Sequence, residues 1–160
     1  MSTRTVLHEA DIVRALTRIS HEILESNRGP EGLVLLGIPT RGVALAHRIG
    51  DLVTKFSGVE VPVGALDVTM YRDDLHRNPT RSPRPTEIPA GGVDGKVVVL
   101  VDDVLFSGRS IRAALDALQS ALEVGADLTD FDVVANLGNV ALHLGDDRAH
   151  QRCFDLTLSG

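Results

Sequence analysis

Apolar positions along the first sixty residues switch between two spacings. Over residues 9–27, EADIVRALTRISHEILESN, Ile12, Leu16, Ile19 and Ile23 recur every three or four positions, with Val13 and Leu24 widening the stripe. That period predicts a helix with one apolar face. Glu9 and Asp11 suit its electropositive first turn, and Asn27-Arg28-Gly29-Pro30 stops it. The next run, GLVLLGI at 32–38, does not alternate at all. It is too short for a helix and reads as a strand covered on both faces, the habit of parallel sheets. Pro39-Thr40-Arg41-Gly42 then turns the chain into a second helix around 43–56, where Leu45, Ile49, Leu52, Val53 and Phe56 share a face; Gly58 ends it.

Residues 61–71, VPVGALDVTMY, predict another strand. From Arg72 to Gly95 neither period survives, and the stretch holds four prolines and four arginines. A strand at 96–101 follows, then a helix around 109–122 with Ile111, Ala114, Leu115 and Leu118 on one stripe. Strands alternating with helices predict a mostly parallel, doubly wound α/β sheet. The chain is expected to form a single domain, 1–160, with an insertion at 72–95 that is either functional or disordered. Apolar runs at Phe131–Val134, Val140–Leu144 and Cys153–Leu158 could add strands.

Composition narrows the function classes. The 160 residues are 43% apolar and 24% charged, which suits one globular domain. Aromatics make up 3% with no Trp, so the core must come from Val, Leu, Ile and Ala, and an aromatic RNA-stacking sheet is excluded as a first reading. A lone cysteine, Cys153, leaves no internal disulfide and no cysteine-rich metal site, and fits a reducing cytoplasm. No apolar run approaches the ~20 residues that span a bilayer, so no membrane association is expected. The net charge of −6 is uneven: residues 1–118 carry 14 basic and 15 acidic groups, residues 119–160 carry 2 and 7. Indiscriminate nucleic-acid binding is therefore not expected, although a local basic face is not excluded.

The candidate chemistry lies in VVVLVDDVLFSGRS, residues 97–110. An apolar strand runs into Asp102 and Asp103, and Ser107-Gly108-Arg109-Ser110 opens the next helix. In open α/β sheets ligands lie beyond the carboxyl ends of the strands. A helix start offers free N–H groups and suits a phosphate, to which Ser107 and Ser110 add hydroxyls while Gly108 permits close approach. Two carboxylates beside a phosphate cradle make sense if the ligand also carries sugar hydroxyls, or a Mg²⁺ that the acids hold. The composite ligand is a sugar phosphate with a divalent cation. A strand end with solvated acids is the simpler alternative for the acid pair alone. A receiver-type phosphoacceptor site would need a third Asp and a downstream Lys, and no Gly-x4-Gly-Lys-Ser/Thr loop is present.

The whole string resembles the phosphoribosyl-pyrophosphate (PRPP) signature of type I phosphoribosyltransferases. More narrowly, residues 10–118 resemble the bifunctional pyrimidine operon regulator/uracil phosphoribosyltransferase family. The pieces that carry the resemblance are ALTRISHEI (15–23), LLGIPTRGVALAHRI (35–49), ALDVTMYRDDL (65–75), IPAGG (88–92) and VVVLVDDVLFSGRSIRAALDAL (97–118). Phe106 stands where the family signature usually has tyrosine.

The resemblance implies a type I phosphoribosyltransferase fold whose 72–95 insertion is a flexible lid. Asp102 and Asp103 would hold the ribose hydroxyls of PRPP, directly or with Mg²⁺. Val104, Leu105, Phe106, Ser107, Gly108, Arg109 and Ser110 would complete the loop around the 5′-phosphate. Thr40, Arg41 and Gly42 would form the pyrophosphate loop, and Tyr71, Arg72, Asp73 and Asp74 would open the lid, with Arg72 on pyrophosphate. Arg41, Arg72, Asp102 and Asp103 would carry catalysis of uracil + PRPP → UMP + pyrophosphate, with no covalent nucleophile. The resemblance also implies binding to the mRNA of pyrimidine genes under control of UMP and UTP, and homo-oligomers.

For RNA the sequence offers one surface. Arg14, Thr17, Arg18 and His21 are spaced i, i+3, i+4, i+7 and line the polar face of the first helix; a solvated face, which any amphipathic helix shows, is the alternative. After Leu118 the tail 119–160 departs from the family pattern, without the Asp-Arg-Gly-His-Arg-like segment that would serve uracil and RNA recognition. An attenuation regulator with weak or no catalysis is therefore the alternative function, and a paralogue that only senses PRPP a third. His143, Asp146, Asp147 and His150 (HLGDDRAH) have metal-ligand residue types, but without a supporting fourth ligand from a strand or helix a solvated loop is the favoured reading.

Overall fold

A computed structural model describes residues 8–71, 85–93, 95–103, 109–122, 130–135, 140–145 and 152–154 of the chain. Helix α1, Glu9–Ser26, begins where the Asp11 carboxylate accepts the His8 N–H at 2.9 Å. Strand β1, Leu33–Gly37, is buried at every position, as its unbroken apolar run predicts. Helix α2, Arg41–Ser57, ends at Gly58, whose φ of 76° is the left-handed conformation glycine adopts without strain. Strand β2, Val63–Ala65, is short and is followed by a 3₁₀ turn at Thr69–Tyr71. Strand β3, Val97–Asp102, leads to helix α3, Arg109–Leu122. Strands β4, Asp130–Ala135, β5, Val140–Gly145, and β6, Arg152–Phe154, cover most of the three apolar runs of the tail.

The strands form one sheet in the order β2-β1-β3-β4-β5-β6. Pairing is parallel from β2 to β4, and β5 and β6 add antiparallel strands. Because side chains alternate along a strand, each central strand feeds two cores. Leu33, Leu35, Val99 and Val101 pack with Leu16, Ile19 and Ile23 of α1 and Ala46, Ile49 and Val53 of α2. Val34, Leu36, Val98 and Leu100 pack on the other face with Ala113, Ala114, Ala117 and Leu118 of α3. The doubly wound α/β architecture follows from those two faces.

One expectation needs correction at element scale. The strand expected over 61–71 stops at Ala65, because Asp67 folds back: its Oδ1 accepts the N–H of Thr69 at 2.9 Å and the Thr69 hydroxyl at 2.6 Å. That Asx-type turn replaces ladder bonds with local ones. The aperiodic stretch 72–95 is firmly seated at its end. Glu87 exchanges both backbone bonds with Ala65, at 3.0 and 2.8 Å, and Val93 joins the α3-side core with Ile88 against it.

Candidate active site at the sheet switch point

From β1 the chain crosses through α2 to β2 on one side; β3, whose own crossover helix covers the opposite face, lies on the other. The carboxyl ends of β1 and β3 therefore border the crevice where doubly wound folds bind ligands. Neighbouring strands bring the two loops together: the Ile38 N–H donates to the Val101 carbonyl at 2.8 Å. Gly42, in the first turn of α2, lies against that same carbonyl oxygen. A Cβ at Gly42 would also sit 3.1 Å from the Asp102 Cα. Only a residue without a side chain lets the helix start so near the end of β3.

That contact sets the electrostatics. Arg41 is the first residue of α2, and its side chain is 82% exposed. Its Nη1 lies 3.4 Å from Oδ2 of Asp103, whose side chain is 31% exposed. The Asp103 N–H donates to Oδ1 of Asp102 at 2.8 Å, which orients the Asp102 carboxylate. Thr40 is the residue before the helix, and its side chain makes no capping bond. The Pro39–Thr40 peptide is cis. The first N–H groups of α2 have no intrahelical partners by construction, which with a guanidinium beside them suits an anion.

Of the residues singled out from sequence, Thr40, Arg41, Gly42, Asp102 and Asp103 are thus gathered at one crevice. Tyr71 ends the 3₁₀ turn and is exposed, and that turn packs near α3. Arg72, Asp73, Asp74 and the loop Val104, Leu105, Phe106, Ser107 and Gly108 lie outside the described residues. Arg109 and Ser110 begin α3 and are described in backbone only. Sequence reasoning missed Asp67 and Thr86: the Asp67 N–H donates to the Thr86 hydroxyl at 3.1 Å, tying together the two chain segments that flank residues 72–84. The Asp-x-Thr spacing at 67–69 was the available signal.

The α1 face is less cationic than its sequence implies. Arg14 pairs with Asp11, and Arg18 lies 3.8 Å from Glu22. The His21 ring stacks on Phe56 of α2, with centroids 4.2 Å apart and planes 14° from parallel. Phe56 was read only as part of the apolar face of α2. In the tail, His143 of β5 is in register with Asp132 and Arg152, whereas Asp146, Asp147 and His150 lie outside the described residues.

Among the described residues no three His, Cys, Asp or Glu side chains are gathered as a metal cage. The acid pair is nevertheless a fitting donor set for Mg²⁺, which commonly takes one or two carboxylates and completes its shell with water and substrate phosphates. No helix among the described residues is long and apolar enough to cross a membrane.

A family model described as phosphoribosyl transferase domain matches residues 2–122. Bifunctional protein PyrR of Leifsonia xyli is 69% identical over 123 residues, covering 74% of this chain and 67% of the relative. The protein of the same name from Streptomyces coelicolor is 61% identical, over 72% of this chain and 60% of its own length. That from Corynebacterium diphtheriae is 45% identical over 89% of this chain and 76% of its length. The chain thus spans about three fifths to three quarters of these relatives. Among solved structures, a purine phosphoribosyltransferase from Pyrococcus horikoshii superposes with a TM-score of 0.54 at 21% identity, covering 81% of this chain and 73% of its own. A hypoxanthine phosphoribosyltransferase from Staphylococcus aureus gives 0.56 at 16% identity, covering 83% and 66%. These two likenesses concern the fold.

Proposed function

As the chain belongs to the phosphoribosyl transferase domain family, alongside relatives called bifunctional protein PyrR, we propose that it converts uracil and PRPP to UMP and pyrophosphate. The same protein also binds the mRNA of pyrimidine genes. The observation that carries the enzymatic reading is the meeting of two loops at the switch point of the sheet. A guanidinium and a helix start from one loop lie beside two carboxylates from the other.

Each group has a task in this reading. Arg41 and the N–H groups after Thr40 hold the pyrophosphate and balance the charge that grows on it as the ribose C1–oxygen bond lengthens. Asp102 and Asp103 accept hydrogen bonds from the ribose hydroxyls and orient C1, so that a uracil ring nitrogen attacks from the face opposite the leaving group. Ser107, Gly108, Arg109 and Ser110 take the 5′-phosphate, and Arg72 serves the pyrophosphate. Asp102 and Asp103 would hold a Mg²⁺, which would add positive charge near the departing pyrophosphate. The proton of the attacking ring nitrogen leaves with the pyrophosphate or to water, and no side chain needs to act as a nucleophile.

For the RNA activity the supporting features are the α1 positions Arg14, Thr17, Arg18 and His21, together with the word bifunctional in the relatives' name. Only two arginines stand on this face, so few phosphate charges can be neutralised there. The salt dependence of RNA binding should accordingly be shallow.

The decisive experiment incubates the protein with PRPP, Mg²⁺ and uracil and follows UMP by chromatography. UMP that accumulates with PRPP consumption, and is lost in Asp102→Asn, is the expected result. Absence of UMP while PRPP still binds would leave the regulatory reading and remove the enzymatic one.

A further inference from the structure

The Arg41–Asp103 pair joins two residues that the proposed reading sends to different parts of PRPP. Arg41 goes to the pyrophosphate and Asp103 to the ribose or its Mg²⁺, yet the two side chains lie 3.4 Å apart and pair with each other. Their settings differ. The acid is two-thirds covered and follows a strand, whereas the arginine is 82% exposed at a helix start. The arginine is therefore the partner free to leave. An exposed pair of this length contributes little stability, whereas a guanidinium on a phosphate oxygen makes a shorter, stronger bond.

We propose that this pair is a placeholder which the substrate displaces. Arg41 exchanges the Asp103 carboxylate for pyrophosphate oxygens, and the exchange releases Asp103 for the ribose and the cation. The inference rests on the reading of Arg41 as the pyrophosphate-loop cation. The pair neutralises a carboxylate beside the helix start, and it sets a small barrier against a bare anion that offers Asp103 nothing in return. A ligand carrying both pyrophosphate and hydroxyls satisfies both partners at once.

The test uses pyrophosphate alone, with a chelator to remove divalent cations, and isothermal titration of the wild type, Asp103→Asn, Arg41→Ala and the double variant. Freeing Arg41 in Asp103→Asn should tighten pyrophosphate binding about two- to fivefold, the span expected for an exposed pair. The same substitution in the Arg41→Ala background should give a clearly smaller gain. No gain in Asp103→Asn, or an equal gain in both backgrounds, overturns the exchange; the equal gain would be general relief of negative charge. If Arg41→Ala binds pyrophosphate as well as wild type, the assignment of Arg41 to pyrophosphate fails instead. Thermal melts of all four proteins establish that each is folded.

Discussion

At Gly42 a single hydrogen in place of a side chain decides how near α2 begins to the end of β3. A Cβ there would press on the Val101 carbonyl and the Asp102 Cα, backbone atoms that cannot step aside as a flexible side chain would. Gly42→Ala should therefore push the helix start outward and carry Arg41 with it. The expected cost is about 1–3 kcal/mol of stability, as for other overpacked sites. The apparent KM for PRPP should rise about tenfold, since ~1.4 kcal/mol of lost binding is one decade. Thermal melting and initial-rate kinetics on the same preparation would separate the two effects, and an unchanged KM would mean that the helix start does not position the ligand. Residues of this kind were half legible. Thr40-Arg41-Gly42 stood out as a turn between strand and helix, but the reason for Gly42 is a contact with a strand sixty residues away, and no local pattern encodes it.

Among the elements, the parallel strands were legible because each is buried on both faces and reads as an unbroken apolar run, Leu33–Gly37 and Val97–Asp102 above all. The region after β2 was not. VPVGALDVTMY looks uniformly strand-like, and what ends the strand is one carboxylate choosing Thr69. Asp67→Ala should cost about 1–3 kcal/mol, the range for hydrogen bonds to a charged acceptor, read as a lowered urea midpoint. Asp67→Asn should retain part of that stability, because its amide oxygen can still accept from the Thr69 N–H. Equal loss in both variants would show that the turn depends on charge rather than on an acceptor. The seating of Thr86–Glu87 beside β2 was equally hidden, since an edge contact made by two backbone bonds leaves no trace in hydrophobic period.

On the scale of the whole molecule, the crevice unites loops from strands that are neighbours in space through the β1–β3 pairing, while α2 and α3 cover opposite faces. A ligand held by both loops binds the folded chain and has no counterpart in the unfolded one. PRPP with Mg²⁺ at a hundred times its dissociation constant should add about 2.7 kcal/mol. For a domain of this size that is roughly 5–10 °C in melting temperature. Scanning calorimetry with and without PRPP checks this, and a melting point indifferent to PRPP would argue against the crevice as its site.

The pairing of β1 with β3 also bears on the life of the chain before it is complete. Leu33–Gly37 leaves the ribosome long before Val97–Val101, and α2, β2 and all that follows to Lys96 must emerge between them. Until β3 docks, the start of α2 has no strand end to lean on and Arg41 has no acid to meet. Pairing across so long a stretch forms slowly compared with local helices. The nascent protein should thus stay blind to PRPP until the third strand takes its place, and acquire its affinity in that one step.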